Sequence, residues 1–394
     1  MTQADVLIIG GGLAGCAAAY YLARGGAAVL LVEMGQVNGQ ASGQNAGSLH
    51  FQLEHRLIEH ADQAEQFAQV IPLNLLAIEE WSRLEEELDA FMDVTLHGGL
   101  MLAETEADLA LLRKKYALEK QWGLPTELLT AEEVRAIAPY LSDKVIAAGY
   151  CPREGHGNPR LVTPAFARGA QRHGAKIRTG TKVADIRRVN GRWSVALEGA
   201  EGREMATADV ILNAAGAWAA DVARMVNLHL PVFPVALAMN VTEAGPPLVH
   251  HLIQHAGRRL SMKQVSDGHI LIGGGWSSRF RRAGDRILKD RRPVLIDRNV
   301  AENLKIACDV VPDLRSRNLL RSWTGIVGIT ADQLPILGEM PEAPGFFVAT
   351  GGSGFTLGPV YGRLMSELIL EGRPSHRIDL YSPRRFRHIN MFMG

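Results

Sequence analysis

The chain is short of cysteine, of net charge and of long apolar runs. Its 394 residues include three cysteines, Cys16, Cys151 and Cys308, which lie far apart and form no C-x-x-C pair. We therefore expect no iron–sulfur, zinc or other metal site built by this chain alone, and no disulfide framework. The formal net charge is zero, and no basic stripe suggests a nucleic-acid partner.

No apolar run reaches the roughly 18 residues that a membrane helix needs. The chain enters an apolar strand by about residue 5, which leaves no room for a signal peptide. Apolar residues make up 47% of the sequence, and the length allows two domains with proper cores. These features predict a globular, cytoplasmic protein without a transmembrane segment.

Residues 6–33 contain the most informative motif. An apolar strand leads into a turn in which Gly10, Gly12 and Gly15 satisfy G-x-G-x-x-G, and an alanine-rich helix and a second apolar strand follow. The glycines permit a tight turn, close backbone approach to a pyrophosphate and close helix-on-strand packing, and the helix N-terminus favours the anion. Glu33 ends the second strand and can accept hydrogen bonds from a ribose, whereas its charge would repel the 2′-phosphate of NADP. The motif predicts a dinucleotide-binding unit.

A second glycine-rich turn, residues 351–359, precedes a helix near the C-terminus. The N-terminus of such a helix suits the pyrimidine end of an isoalloxazine, where reduction places negative charge. The alternative is an ordinary loop before a surface helix. Because the first motif already predicts a dinucleotide, the two motifs together favour a flavin.

Three other segments help to organise the chain. Residues 39–50 are small, polar and rich in glycine, which disfavours a helix. Asn190-Gly191 separates two apolar runs and predicts a β-hairpin. Residues 209–218 predict a strand that runs into a turn of small residues, where the backbone can approach a ligand closely.

The order and spacing of these motifs resemble those of the FAD-dependent D-amino-acid oxidase superfamily, which includes glycine oxidase and sarcosine oxidase. The resemblance rests on the opening motif and on residues 211–218 and 323–338, and it covers nearly the whole chain. Further segments look most like the β subunits of heteromeric amine dehydrogenases, namely opine oxidase, D-hydroxyproline dehydrogenase and heterotetrameric sarcosine oxidase. These segments are residues 42–50, 260–264, 273–276 and 354–359.

The resemblance implies an α/β fold with a glutathione-reductase-type FAD-binding domain and a second, mixed-sheet substrate domain. The discontinuous FAD-binding domain would comprise residues 1–80, 150–225 and 325–394, and the substrate domain residues 81–149 and 226–324. The implied reaction is oxidation of the C–N bond of an amino or imino acid by hydride transfer to flavin N5.

The resemblance also implies a catalytic β subunit in a heteromer, whose second subunit would carry a nucleotide site, an iron–sulfur cluster or both. A stand-alone D-amino-acid or glycine oxidase is one alternative. A non-catalytic FAD-binding subunit that only relays electrons is the other.

The predicted site falls into a cofactor part and a substrate part. We expect His50 to contact substrate or flavin, Lys263 to bind a substrate carboxylate, and Trp276 to wall the site. The alternatives are a loop histidine bound to backbone, a solvent-facing strand lysine and a core tryptophan. The predicted FAD-binding residues are Gly10, Gly12, Leu13, Ala14, Gly15, Glu33, Ser42, Gly43, Asn45, Ala46, Gly47, Ser48, Val183, Ala215, Gly216, Trp218, Gly325, Gly352, Gly354, Phe355 and Thr356.

The sequence departs from the family pattern at informative positions. Val327 stands where glycine oxidase-like members carry the arginine that clamps the substrate carboxylate, so another residue must hold it. No cysteine lies in residues 323–332, where monomeric sarcosine oxidases attach FAD, which implies non-covalent FAD. Thr356 stands where oxygen-reactive relatives carry a lysine, and Pro159 where a histidine anchors a second flavin. Fast reaction with oxygen and covalent FMN are therefore not expected.

Overall fold

Two eight-stranded sheets organise the chain in the computed structural model, which describes residues 2–54, 63–200 and 202–393. The strands are, in chain order, β1 (Thr2–Ile9), β2 (Val29–Val32), β3 (Ser48–Leu49), β4 (Gly99–Ala103), β5 (Glu127–Thr130), β6 (Ala147–Cys151), β7 (Gly155–His156), β8 (Lys176–Arg178), β9 (Lys182–Val189), β10 (Arg192–Gly199), β11 (Gly202–Asn213), β12 (Val232–Thr242), β13 (Leu252–His255), β14 (Ser261–Gln264), β15 (Ile270–Gly273), β16 (Arg282–Ala283), β17 (Arg286–Ile287), β18 (Leu319–Thr330), β19 (Ile336–Glu339) and β20 (Phe346–Thr350).

The helices surround the sheets and connect their strands. They are α1 (Leu13–Arg24), α2 (Ala41–Gln44), α3 (Ala64–Ala68), α4 (Ile71–Leu88), α5 (Glu106–Gln121), α6 (Ala131–Ile137), α7 (Pro159–Arg172), α8 (Ala219–Arg224), α9 (Asp297–Val310), α10 (Gly358–Glu371) and α11 (Arg387–Met393). Short 3₁₀ segments cover Gly216–Trp218, Pro312–Ser316, Asp379–Tyr381 and Pro383–Phe386. Within the described ranges, no helix combines the length and the apolar character needed to cross a bilayer.

The first sheet has a parallel centre. Its strands run in the order β19-β20-β11-β1-β2-β8, with β10 beside β11 and β9 beside β10. Strands β20, β11, β1, β2 and β8 are mutually parallel, whereas β19, β10 and β9 join antiparallel. Val6 and Ile8 of β1 pack with α1, α7 and α10, while Leu7 and Ile9 pack with β9 and β10 on the other face. Residues 6–9 of β1 are all apolar because both faces of the strand are buried there.

Close packing of α1 explains two small residues of the helical layer. A Cβ on Gly15 would lie 2.0 Å from the carbonyl oxygen of Gly10, so the third glycine of the motif lets α1 approach the end of β1. On the opposite side, a Cβ on Gly362 of α10 would lie 2.5 Å from the Cβ of Ala17. The predicted strand–helix–strand unit is therefore confirmed, including the packing role of its third glycine.

The second sheet is mixed, as predicted. Its order is β18-β12-β15-β14-β13-β4-β6-β5, and β13 pairs parallel to β4 whereas the other neighbours are antiparallel. The predicted hairpin at Asn190-Gly191 joins β9 to β10, and both residues adopt the positive φ that the tightest hairpin turns require, 50° and 80°. The α/β class follows from these sheets and their covering helices.

Candidate cofactor and substrate site

A cavity of about 300 Å³, hereafter the main cavity, lies at one edge of the parallel sheet. Four adjacent strands, β20, β11, β1 and β2, end at this edge, and the segments that follow them line the cavity. These segments are Gly351 to Phe355, Ala214 to Trp218, Gly10 to Ala14, and Glu33 with Met34. Ligands of open α/β sheets bind beyond the carboxyl ends of parallel strands, because the connecting loops leave a crevice there.

The glycine turn after β1 has the geometry of a phosphate cradle. Gly10 has a φ of 115°, and a Cβ there would lie 2.6 Å from the carbonyl oxygen of Ala214, so a side chain is not accommodated. The first turn of α1 presents backbone N–H groups that lack partners within the helix, and Ser42 Oγ accepts one of them, from Leu13 (2.9 Å). The backbone of this turn therefore borders the cavity without side chains in the way, and it fits a pyrophosphate.

Glu33 organises the turn in addition to its predicted contact with ribose. Its Oε2 accepts a hydrogen bond from the Gly11 N–H, and its Oε1 accepts one from the Gly35 N–H, both at 2.7 Å. A carboxylate has about four acceptor sites, so sites remain for ribose hydroxyls. The residues at this edge thus fit an adenine dinucleotide.

Most of the predicted FAD-binding residues line the main cavity, but several do not. Those that line it are Gly10, Gly12, Leu13, Ala14, Glu33, Ser42, Asn45, Val183, Ala215, Gly216, Trp218, Gly352, Gly354 and Phe355. Gly43 and Ala46 line a second cavity of about 970 Å³. Both belong to residues 42–50, which we call the flavin loop. Gly15, Gly47, Ser48, Gly325 and Thr356 line neither cavity.

Several residues of the main cavity were missed by sequence reasoning. Thr181 and Lys182 follow β8, which pairs parallel with β2. The rule that ligands bind beyond the ends of parallel strands would have identified them. Asp221, Val222 and Met225 belong to no sequence motif. They reach the cavity because α8 and the residue after it lie beside it. Other missed residues are Ile9, Gly11, Val32, Met34, Gly39, Gln40, Ala41, Ala214, Ala217, Ile326, Val327, Gly328, Ala349, Thr350, Gly351 and Tyr361.

One face of the second sheet links the main cavity to Lys263. Residues directly opposite in antiparallel strands share a face, and the register aligns Lys263 with Leu271, Leu271 with Val241, and Val241 with Arg321. Val327 lies six residues beyond Arg321 in β18 and therefore on the same face. Val327 lines the main cavity, and Val241, Leu271 and Arg321 line the second cavity, so this face borders both cavities.

Lys263 is buried without a partner. It exposes 1% of its surface, and its Nζ has no hydrogen-bond partner among the described residues. Burial holds the pKa of Lys263 well below its usual value, although Asp93 opposes the shift. The amine lies against the flavin loop, since a Cβ on Gly47 would be 3.2 Å from Nζ. Lys263 is therefore not the solvent-facing strand lysine of the alternative prediction.

Two histidines accompany Lys263. His50 Nε2 and Ser261 Oγ share a hydrogen bond of 3.1 Å, and burial, reinforced by Lys263 and opposed by Glu54, lowers the pKa of His50 to about 4. Burial and the same lysine lower the pKa of His156 to about 3, with His97 adding to the effect. Both rings are neutral at neutral pH. The backbone of His156 pairs with Ser48 across β7 and β3.

Four of the fifteen buried polar side-chain atoms that lack a hydrogen-bond partner within the described part of the chain belong to this group of residues. They are Ser48 Oγ, His50 Nδ1, His156 Nε2 and Lys263 Nζ. Buried polar groups in proteins almost always have partners, and exceptions need an explanation. A polar ligand beside these four residues, hereafter the Lys263 cluster, would supply the missing hydrogen bonds.

Trp276, which was predicted to wall the site, and Trp323 have different surroundings. Trp276 is half-buried, packs against the core of the second sheet and donates from Nε1 to the carbonyl oxygen of Arg259 (2.9 Å). Trp323 lines the second cavity and donates from Nε1 to the carbonyl oxygen of Gln44 (2.7 Å). Trp323 therefore holds the flavin loop, whereas the contacts of Trp276 are those of a core residue.

Distant carboxylates anchor the chain directly after His50. Glu154 Oε1 accepts hydrogen bonds from the N–H groups of Phe51 and Gln52 (2.7 and 2.8 Å), and Glu119 Oε1 accepts one from Leu53 (2.8 Å). Glu154 is fully buried, and burial raises its pKa to about 6 despite these hydrogen bonds. Three consecutive amides are thereby fixed, which orients His50. No pattern in the sequence indicates this arrangement.

Histidines, cysteines and carboxylates are dispersed in the described ranges. These ranges contain no group of three or more histidine, cysteine or carboxylate side chains that could hold a metal ion. The three cysteines are unpaired, and Cys16 and Cys151 are buried.

Comparisons with known proteins agree with this geometry. The family model described as FAD dependent oxidoreductase, DAO, matches residues 5–368. The chain belongs to the DAO family of FAD-dependent oxidoreductases. The predicted superfamily, the fold class and the FAD cofactor are thereby confirmed.

Individual relatives of this DAO-family chain cover its whole length. Glycine oxidase of Geobacillus kaustophilus is 31% identical over 98% of this chain and 97% of the relative, and its crystal structure superposes with a TM-score of 0.82 over 97% of this chain and 98% of that one, at 28% identity. The B subunit of opine oxidase from Rhizobium meliloti is 28% identical over 98% of each chain. These relatives confirm the predicted enzyme class, an FAD-dependent oxidoreductase whose relatives act on amino-acid-like substrates.

Proposed function

We propose that this chain oxidises the C–N bond of an amino or imino acid of the opine, D-hydroxyproline or sarcosine type, as the catalytic subunit of a heteromeric dehydrogenase or oxidase. The observation that carries the proposal is the Lys263 cluster. It places nitrogen and hydroxyl groups, unpartnered within the described ranges, beside the flavin loop and on the sheet face that also carries Val327. A carboxylate-bearing substrate satisfies these groups.

In this proposal Lys263 binds the substrate carboxylate in place of the arginine that relatives carry at the position of Val327. A bound carboxylate next to a buried amine stabilises the ammonium form, so substrate binding draws a proton onto Nζ. The resulting charge-assisted hydrogen bond holds the substrate by its carboxylate. The substrate amine then lies toward the cavity that Val327 lines.

His50 contributes orientation rather than proton transfer. Its pKa of about 4 keeps the ring neutral at neutral pH, and the bond to Ser261 leaves Nδ1 available for the substrate. Bound FAD supplies the hydride acceptor at N5, and the imine product hydrolyses in water. An amine that is bound deprotonated needs no strong base, which agrees with the neutral state of both histidines.

Thr356 favours a separate electron-accepting subunit over direct use of oxygen. The residue is buried, its carbonyl oxygen accepts from Trp81 Nε1 (2.7 Å), and it places no cation near the C-terminal turn. The relative from opine oxidase, named as one subunit of that enzyme, supports a heteromeric assembly. The second subunit would carry a nucleotide site or an iron–sulfur cluster. The stand-alone oxidase and the electron-relay subunit are the competing functions.

The two sheets suggest how the chain divides. We assign the first sheet to a FAD-binding domain of residues 1–80, 150–225 and 325–394, and the second to a substrate domain of residues 81–149 and 226–324. Strand β18 (Leu319–Thr330) pairs with β12 in the second sheet along its whole length and spans the boundary between these ranges, and its Val327 lines the main cavity. We further propose a cytoplasmic location, which the unpaired cysteines support.

An anaerobic titration tests the proposed function. The isolated holoprotein is mixed with sarcosine, D-hydroxyproline, an opine, glycine and D-alanine in turn, and flavin absorbance is followed. We expect one of the N-substituted or cyclic amino acids to bleach the flavin, and a dye acceptor to restore it. Bleaching by glycine or D-alanine, followed by rapid peroxide formation once oxygen is admitted, would favour the stand-alone oxidase. Bleaching only in the presence of a second subunit would favour the relay.

A further inference from the structure

A short hairpin outside both large sheets carries the most concentrated charge that we find in the chain. Residues 279–292 contain six arginines and one lysine against two aspartates, a formal net charge of +5 in a chain whose formal net charge is zero. The neutrality of the whole chain conceals this segment, which the expectation of no basic stripe overlooked. The segment lies next to both cavities, and this position indicates which kind of partner its charge attracts.

The hairpin presents its arginines to solvent. Strands β16 and β17 pair around Gly284, which has a φ of 57°, and Arg279 and Val294 exchange backbone hydrogen bonds at the base (2.9 and 2.8 Å). All six arginines are exposed. Among the described residues, only Arg291 has a carboxylate nearby, that of Asp290 at 3.9 Å. Most of the positive charge is therefore left without a carboxylate partner in the described ranges.

Lys289 connects the hairpin to the main cavity. Its Nζ forms an ion pair with Asp221, lies 3.3 Å from the carbonyl oxygen of Ala217 and lies 5.8 Å from the ring centre of Trp218. Asp221, Ala217 and Trp218 all line that cavity. Arg292, three residues further on, lines the second cavity. The base of the hairpin thus borders both cavities, while its arginines are exposed.

Two exposed apolar side chains adjoin this charge. Phe91 is 73% exposed and Leu320 is 61% exposed, and both line the second cavity together with Arg292. A small apolar centre with a charged rim is the usual composition of a protein interface. We call the hairpin together with Phe91 and Leu320 the basic face.

We propose that the basic face is the docking site of an acidic protein that accepts electrons from the reduced flavin. This inference rests on the proposed function, in which the flavin must be reoxidised in every turnover. An acidic protein matches both features, because its carboxylates pair with the arginines and its apolar groups cover Phe91 and Leu320. A nucleic-acid backbone matches only the charge.

The electron balance requires an acceptor for two electrons. Oxidation of one C–N bond to an imine releases two electrons and two protons. Two one-electron carriers, or one carrier with two centres, take the electrons, and the protons pass to solvent. Attraction between opposite charges steers the carrier to the face nearest the flavin and accelerates association.

Charge reversal tests the docking site. In the test variant Arg281, Arg282 and Arg286 are all replaced by glutamate in the holoprotein. The binding probes are oxidised cytochrome b5, an acidic haem protein, and cytochrome c, a basic one, titrated calorimetrically at low and high ionic strength. We expect the native holoprotein to bind cytochrome b5 in a salt-sensitive manner and not cytochrome c, and the variant to lose about tenfold or more of that affinity.

A matched control separates this surface from net charge. Arg113, Lys114 and Lys144 are exposed and lie outside both cavities, and their replacement by glutamate changes the net charge equally. We expect the control to bind cytochrome b5 within about twofold of the native affinity, because screened distant charges contribute little. Equal losses in both variants, or tighter binding of a DNA duplex or of phosphatidylserine vesicles than of cytochrome b5, would overturn the proposal.

The readouts keep this inference distinct from the proposed function. Anaerobic bleaching by substrate involves no acceptor, so the Arg281/Arg282/Arg286 variant should bleach at the native rate and transfer electrons to cytochrome b5 more slowly. If no amino acid bleaches the flavin, the proposed function fails, while the calorimetric comparison still decides whether the basic face binds an acidic protein.

Discussion

Two buried lysines provide opposite expectations for the same substitution. Lys263 and Lys115 each expose 1% of their surface. Lys115 Nζ forms an ion pair with Glu119 and donates to Gln52 Oε1, both at 2.7 Å, whereas Lys263 Nζ has no hydrogen-bond partner in the described ranges. Methionine resembles lysine in length and flexibility but carries no charge and no donor. Lys263→Met and Lys115→Met therefore compare an unpaired with a paired buried amine.

The expected changes in the free energy of unfolding differ in sign. An unsatisfied buried polar group costs about 1–3 kcal/mol, so Lys263→Met should stabilise the apoprotein by about that amount. Lys115→Met leaves Glu119 as an uncompensated buried charge, and breaking such a pair costs about 3–5 kcal/mol. Urea unfolding at neutral pH measures both changes, with unchanged m-values as the check on two-state behaviour.

The pH dependence provides a second test of the same reasoning. Folding depresses the pKa of Lys263, so the unfolded chain binds more protons than the folded chain at pH values between that depressed pKa and the usual pKa of lysine. The free energy of unfolding of the native chain should therefore rise with pH up to the usual pKa of lysine. The difference by which it falls below that of Lys263→Met should become smaller over the same pH range. A difference that widens with pH would contradict the burial of an unpaired amine.

Lys263→Met should weaken substrate binding even though it stabilises the apoprotein. Loss of a charge-assisted hydrogen bond costs about 1.5–3 kcal/mol, which corresponds to a rise in KM of roughly tenfold to a hundredfold for a carboxylate substrate. FAD content should not change, because Lys263 does not line the main cavity. An unaltered KM, or a destabilised variant, would refute the role of Lys263 as a ligand.

The remaining predictions concern the cofactor and its reoxidation. Glu33→Ala should reduce FAD retention about tenfold or more, because it removes charged hydrogen bonds worth about 1.5–3 kcal/mol each; unchanged flavin fluorescence in the dialysate would exclude the ribose contact. Acid precipitation should release free FAD into the supernatant, and flavin retained in the pellet would indicate a covalent bond. Turnover of the isolated chain should be slow with oxygen and faster with a dye acceptor, and rapid peroxide formation would contradict the inference drawn from Thr356.

The cofactor half of the site could be predicted because its determinants are local. The turn after β1, helix α1 and Glu33 lie within one short stretch of chain, and each glycine acts through its own backbone conformation or through an immediate neighbour. Gly15 illustrates this, since a Cβ there would meet the carbonyl oxygen of Gly10, and Gly10 itself has a positive φ of 115°. Parallel strands then bring the following loops to one edge, which sequence order alone makes predictable.

The sequence by itself determined the βαβ motif, the dinucleotide and the family. Only the tertiary structure decided that Lys263 is buried beside His50 and His156, because alternation along β14 is equally compatible with a buried or a solvent-facing lysine. It also decided that Glu119 and Glu154 fix the amides after His50, and that residues 279–292 lie beside both cavities. Burial and charge neighbours depend on segments far apart in the chain, and no local pattern encodes which distant segment will cover a given side chain.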